Sequence, residues 1–193
     1  MKKTIQLSVV IGLVVLLFAG ASCSKKSEPQ ITVVQKVDTL LVKFSNSGSF
    51  AFFNFRNGKV VANSDSATTK WDFGMRRTTF ILNSHAYGPG NAAGMLLSSV
   101  YSSVLTAPGA GFAYDTTTAQ KAIKDGSWYD YNPVSHSFVP KAGKTFIFRT
   151  ADNFYVKMEL LAVDYAPFVG PNPSELIYRF RYTYQANGTK VFL

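Results

Sequence analysis

The chain has a single cysteine, Cys23, among 193 residues. No disulfide can form within it, so its stability has to come from burial and hydrogen bonding. It carries no His-Glu-x-x-His, no Gly-x-Ser-x-Gly, no phosphate loop and no cysteine pair for zinc, and catalytic metal and thiol mechanisms therefore lack their parts. Gly88-Pro89-Gly90-Asn91-Ala92-Ala93 has the form of a dinucleotide fingerprint, but Pro89 stiffens the loop and no βαβ unit surrounds it. Asp72, Asp164 and the neighbouring acids show no pairing of glycosidase type. A hydrolase would rest only on the ordinary supply of Asp, Ser and His. Histidine is scarce too, with only His85 and His136.

The one long apolar run, Val9 to Leu17, is shorter than the roughly 20 residues a membrane-spanning helix needs. It follows Lys2 and Lys3 and precedes Ala19-Gly20-Ala21-Ser22, the small residues a signal peptidase requires. Residues 1–22 are therefore expected to be an export signal. The thiol of Cys23 is expected to take up diacylglycerol, which would account for an exported cysteine with no partner. Gly20 stands where lipoboxes usually carry leucine, and the alternative is plain secretion with cleavage near Ala21. The polar stretch Ser24 to Gln30 reads as a tether, so residues 23–30 form the lipidated start and its linker.

Residues 31–193 are one domain's worth of chain on the usual span of about 100–200 residues. Formal charge is +9, and losing Lys2 and Lys3 with the leader lowers it by two. Such a surface favours anionic partners, including membranes and carboxylate ligands. Nucleic acid is not expected as a partner, because the chain is exported and its Lys and Arg form no dense run.

The pattern along the domain is that of strands. Ile31–Phe44 is rich in β-branched residues, Phe50–Phe55 in aromatics, and Asn57-Gly58 marks a two-residue hairpin before Val60-Val61. Trp71–Asn83 reads as one more extended stretch. Thr145–Arg149 and Phe154–Leu160 flank a second hairpin signal at Asp152-Asn153. Near the end, Tyr178, Phe180, Tyr182 and Tyr184 share one face, and Arg179, Arg181 and Thr183 share the other, which predicts a core face and a wet face. Helical signal is confined to Asn91–Leu105 and Thr117–Lys124, without a clean amphipathic stripe, and the first segment reads as loop or a short helix. The expected class is all-β, an antiparallel sandwich or flattened barrel with one or two short helices.

Several segments, in order, carry a resemblance. They are Phe52-Phe53-Asn54-Phe55-Arg56-Asn57-Gly58-Lys59-Val60-Val61, Lys70-Trp71-Asp72-Phe73-Gly74-Met75-Arg76-Arg77, and Gly126-Ser127-Trp128-Tyr129. Phe146–Asn153, Val163-Asp164-Tyr165 and Phe180-Arg181-Tyr182-Thr183-Tyr184 complete the set. Together they resemble the HmuY family of exported bacterial lipoproteins that capture haem outside the cell. The resemblance implies an all-β fold gripping the porphyrin between thumb and fingers. It also implies a place at the outer membrane, on the cell surface or the periplasmic face, and a TonB-dependent receptor that takes the cargo.

In the best-known members two histidines hold the iron, the first five residues after the tryptophan of the Trp-Asp motif. That position is Arg76 here, and a permanently protonated guanidinium has no lone pair for iron. The segment Ala113–Lys124, where the second histidine would fall, has neither histidine nor methionine. Other members use methionine, which makes Met95 the candidate axial ligand, with His85 and His136 as the remaining ones. Met75 neighbours Arg76, but strand alternation sends it to the opposite face. Arg76 itself is expected either to pair with a haem propionate or to make a cross-strand ion pair. The implied function is non-enzymatic haem or tetrapyrrole binding in iron acquisition; the alternative is a surface binding or adhesion module on the same scaffold that has lost haem ligation.

Radiolabelled palmitate fed to an expressing bacterium should mark the chain and leave the Cys23→Ser variant unmarked. Equal labelling of the two would remove the lipid anchor.

Overall fold

The computed structural model describes residues 33–193; the signal segment, Cys23, the tether, Ile31 and Thr32 lie outside the described residues. Thirteen strands follow in chain order: β1 Val33–Lys43, β2 Ala51–Asn54, β3 Lys59–Val61, β4 Phe73–Arg76, β5 Thr79–Leu82, β6 Ala93–Leu97, β7 Tyr129–Asn132, β8 Ser137–Pro140, β9 Thr145–Arg149, β10 Tyr155–Tyr165, β11 Phe168–Val169, β12 Asn172–Pro173 and β13 Glu175–Gln185. They form a five-stranded sheet in the order β1-β13-β10-β9-β6, a four-stranded sheet in the order β3-β2-β4-β5, and two separate hairpins, β7-β8 and β11-β12. All the strand pairings are antiparallel. The two larger sheets make a sandwich, and the sheets do not close into a barrel.

Aromatic rings fill the space between the sheets. Phe53, Phe55, Phe73 and Phe80 come from the four-stranded side and meet Phe180, Tyr182, Phe148 and Phe146 at centroid distances of 5.2, 5.2, 5.9 and 5.1 Å respectively. Each fully buried large apolar side chain contributes about 1.5–3 kcal/mol, and each well-placed ring pair about 0.5–1.5 kcal/mol more. This layer does the work that disulfides do in cysteine-rich secreted domains. Two smaller clusters pack on the outer faces: Phe52, Trp71 and Ile81 on one sheet, and Val104, Ala107, Ile147 and Phe192 on the other.

A buried carboxylate ties the sheets together. Asp72 Oδ2 accepts the backbone N–H of Phe55 at 2.8 Å, and Oδ1 accepts that of Ala151, in the turn between β9 and β10, at 2.9 Å. The next residue back, Trp71, is buried against Phe52 and donates its indole N–H to Ser66 O at 2.9 Å.

The period-two reading of β13 holds for Tyr178, Phe180, Tyr182 and Tyr184, which are buried, and for Arg179 and Arg181, which are exposed. Thr183 departs from it and is buried, because Tyr101 folds over that face and its hydroxyl lies 2.5 Å from Thr183 Oγ1. Lys157, also buried, fixes the same cover by donating to the carbonyls of Tyr101 and Val104 at 3.2 and 2.8 Å.

The loop or short helix expected over Asn91–Leu105 is in its first part strand β6, whose side chains alternate between the faces, and a short 3-10 helix follows at Tyr101–Ser103. Thr117–Lys124 is not a helix either. Its backbone is organised by Asp115, which accepts the N–H of Leu82 at 2.7 Å and of Ala122 at 2.8 Å, a side-chain alternative to helical pairing. The Asn57-Gly58 hairpin forms, but with a four-residue turn, Phe55 to Gly58. Phe55 dives into the core, and Asn54 accepts the Asn57 N–H at 2.9 Å. The stretch 71–83 is a hairpin and not one strand, because Arg77 takes a left-handed φ of 48° at its tip.

Burial raises the Asp72 carboxyl to about 6, opposed by the N–H groups of Ala151 and Phe55. The folded protein thus keeps a proton that the unfolded chain, near 3.8, has released. The stabilisation from this group is complete below about pH 4 and is lost as pH rises through 6, a change of about 3 kcal/mol. Asp72→Asn removes the titration. In denaturant melts at pH 4 and pH 7 the wild-type-minus-variant stability should fall by most of that amount, about 2 kcal/mol, and a difference independent of pH would overturn the assignment.

Candidate functional site

At one end of the sandwich the chain builds a cavity of about 700 Å³, inside the range of about 300–1,000 Å³ typical of small-molecule sites. Its wall has four sources: Phe44 just past β1, Arg77 at the β4-β5 tip, the β7-β8 hairpin with Tyr131, His136 and Phe138, and Tyr165 with Phe168 near the β11-β12 hairpin. Five of these seven side chains are aromatic carbocycles, and among the described residues no carboxylate lines the space.

Short-range chemistry sets each wall. Arg77 is held through its backbone: its N–H donates to Lys43 O at 3.0 Å, and its carbonyl accepts the Tyr178 hydroxyl at 2.8 Å. The guanidinium is thereby placed 5.2 Å from the ring centre of Phe44 and 5.5 Å from that of Phe138, within cation-π reach of both. Phe138 N–H donates to Tyr165 Oη at 2.7 Å, joining the hairpin to the end of β10. Burial pushes the Tyr165 phenol above its ordinary range, so it stays protonated.

The β7-β8 turn is closed by Asn132, whose side-chain oxygen accepts the N–H groups of Val134 and Ser135 at 2.9 and 3.2 Å. His136 then takes a left-handed φ of 51°. Tyr131 stacks obliquely on its cross-strand partner Phe138 at 5.3 Å, and its hydroxyl lies 2.8 Å from His136 Nδ1. Among the described residues four non-glycines have positive φ, and two of them, Arg77 and His136, line this cavity. Such conformations cost about 1–3 kcal/mol and cluster at binding sites.

Arg77 is the fixed cation of the cavity. Arg56, Arg179 and Arg181 each pair with a carboxylate, at 2.5, 2.9 and 2.6 Å. Arg77 makes no such pair among the described residues, and its buried Nε has no hydrogen-bond partner.

Of the residues singled out from the sequence, only His136 lines the cavity. Arg76 adjoins the lining residue Arg77 in sequence but turns away. It donates to Gly48 O at 2.8 Å and covers the Phe50 ring at 4.4 Å, and among the described residues it makes no cross-strand ion pair, one of its two expected roles. Met75 is buried on the opposite face, as alternation requires. Met95 packs in the outer cluster with Val104, Ala107, Ile147 and Phe192. His85 sits in a loop with its ring edge-on to Tyr114 at 5.1 Å. Arg77, Tyr131 and the lining phenylalanines escaped the sequence reading because they converge from segments far apart in the chain. The one local signal was the second arginine of Met75-Arg76-Arg77 at a hairpin tip. Among the described residues no three of His, Cys, Asp and Glu gather closely enough to hold a bare metal ion.

The chain is similar in structure to a candidate HmuY-like heme-binding protein from Bacteroides vulgatus ATCC 8482, at 16% identity over 76% of this chain and 90% of that one, TM-score 0.46. It is similar also to an apo HmuY analog from Tannerella forsythia, at 13% identity over 81% and 99% of the two chains, TM-score 0.45. A candidate lipoprotein from Bacteroides fragilis NCTC 9343 matches at 15% identity over 75% and 88%, TM-score 0.46. No family model matches the chain, and no curated protein does.

Proposed function

We propose that this protein is a non-enzymatic haem-binding protein of the bacterial envelope. In this reading it is anchored through Cys23, holds the tetrapyrrole in the cavity beyond the β4-β5 tip, and passes it to a TonB-dependent outer-membrane receptor. The observation that carries the reading is an aromatic cavity of about 700 Å³ containing one guanidinium without a carboxylate partner. A flat apolar macrocycle with acidic side chains is the complement of such a wall. Rings supply dispersion and stacking, and Arg77 supplies a fork for a propionate. The segment resemblance points to the same ligand, with the carboxylate role moved from Arg76 to its neighbour.

A second reading, a surface binding or adhesion module for a glycan or protein, is favoured by exposed apolar residues of the cavity wall and of the β7-β8 hairpin. Val134 is 90% exposed and Phe168 67% exposed, and Tyr131 and Val139 are also open to solvent.

Hemin titrated into the purified protein should sharpen and red-shift the Soret band, and an unchanged spectrum would leave only the second reading. Arg77→Gln should weaken hemin binding about tenfold while leaving the dimethyl ester of hemin unaffected. Equal losses for acid and ester would remove Arg77 as the carboxylate anchor.

A further inference from the structure

With Arg76 tied to Gly48, Met95 in the outer cluster, and His85 set edge-on to Tyr114 and absent from the lining, the iron donor has to come from the cavity wall itself. The wall offers the phenols Tyr131 and Tyr165, the imidazole of His136, and the hydroxyls of Ser135 and Ser137. The serine hydroxyls face each other at 2.7 Å, and Tyr165 Oη is engaged by the Phe138 N–H. What remains is Tyr131 and His136, whose Oη and Nδ1 are 2.8 Å apart.

The geometry points to Tyr131 as a phenolate ligand of ferric haem, with His136 as the residue that positions it and accepts its proton. This assignment rests on the haem reading above. A neutral phenol is a poor ligand, whereas a phenolate is a hard oxygen donor suited to Fe(III) and is an established haem ligand type. On binding, the Tyr131 O–H bond breaks and an O–Fe bond forms. The proton passes to His136 Nδ1, and the water or chloride that held the position on iron leaves. Iron remains ferric, and no electron is exchanged.

The hairpin is built for this pair. Tyr131 is registered opposite Phe138 and held against its ring, while the Asn132-capped turn carries His136 back toward the phenol. Both side chains are solvent-exposed, as a donor at the mouth of a cavity has to be to meet an incoming porphyrin. Reduction to Fe(II) would weaken the bond, so the site is selective for the oxidised cargo.

The test uses the full chain in detergent with hemin and with metal-free protoporphyrin IX as probes. Resonance Raman excitation into the phenolate-to-iron charge-transfer band should show tyrosinate ring modes. They should disappear in Tyr131→Phe and on dithionite reduction. Tyr131→Phe should bind hemin about tenfold more weakly and protoporphyrin IX unchanged. The second probe reports that the fold and cavity are intact. His136→Ala should keep the ring modes and release hemin faster. If hemin binds but tyrosinate modes are absent, or if its spectrum survives Tyr131→Phe and is lost in His136→Ala, iron is held otherwise and this assignment falls while the haem reading stands. If neither probe binds, both fall.

Discussion

The placing of the cavity's one arginine traces back to a buried carboxylate at the far end of its strand. Asp72 is taken out of water and receives one backbone N–H from the end of β2 and another from the β9-β10 turn, so it ties the two sheets at a single point. An isolated buried charge would be intolerable, and paired N–H donors are what make it possible. From that point the chain runs straight into β4, and the side chains of Phe73 and Met75 enter the aromatic layer. Four residues of strand then deliver Arg77 to the tip. The Trp-Asp pair is thus an architectural hinge pin whose effect is felt at the other end of the hairpin.

Two opposing demands meet at that tip. The guanidinium needs water or an anion, while its surroundings are aromatic. The fold resolves the conflict by locking the Arg77 backbone from both sides, through Lys43 and Tyr178, and leaving the head group between two rings. Left-handed φ at Arg77 and His136 is what turns both chains inward. Neither residue type relieves the steric cost of that conformation as glycine would. The core can carry this strain because its ring pairs are many and dry.

The all-β class and most strand positions were legible in the sequence because the aromatic alternation in β13 and the β-branched content of β1 are local signals. The Asp152-Asn153 turn was readable for the same reason, with Asn153 adopting the left-handed φ its side chain tolerates. What misled was content without periodicity. The run Met95-Leu96-Leu97 looks helical by composition, yet it pairs with β9, since Ile147 and Phe146 offer it two apolar faces. Sequence spacing could nominate Arg76 but could not tell which of two adjacent arginines a left-handed turn would aim inward. The Tyr131–His136 pair was equally hidden, because its meaning lies in a hairpin closing rather than in a motif.

The first strand also sets a distance. β1 is unbroken from Val33 to Lys43, and Phe44 then enters the cavity wall. At about 3.3 Å per residue it separates the point where the chain enters the sandwich from the cavity by about 30–35 Å. With a lipid on Cys23 and the tether between, the sandwich would hang by the end away from its open mouth, which leaves the mouth free to turn outward from the headgroups.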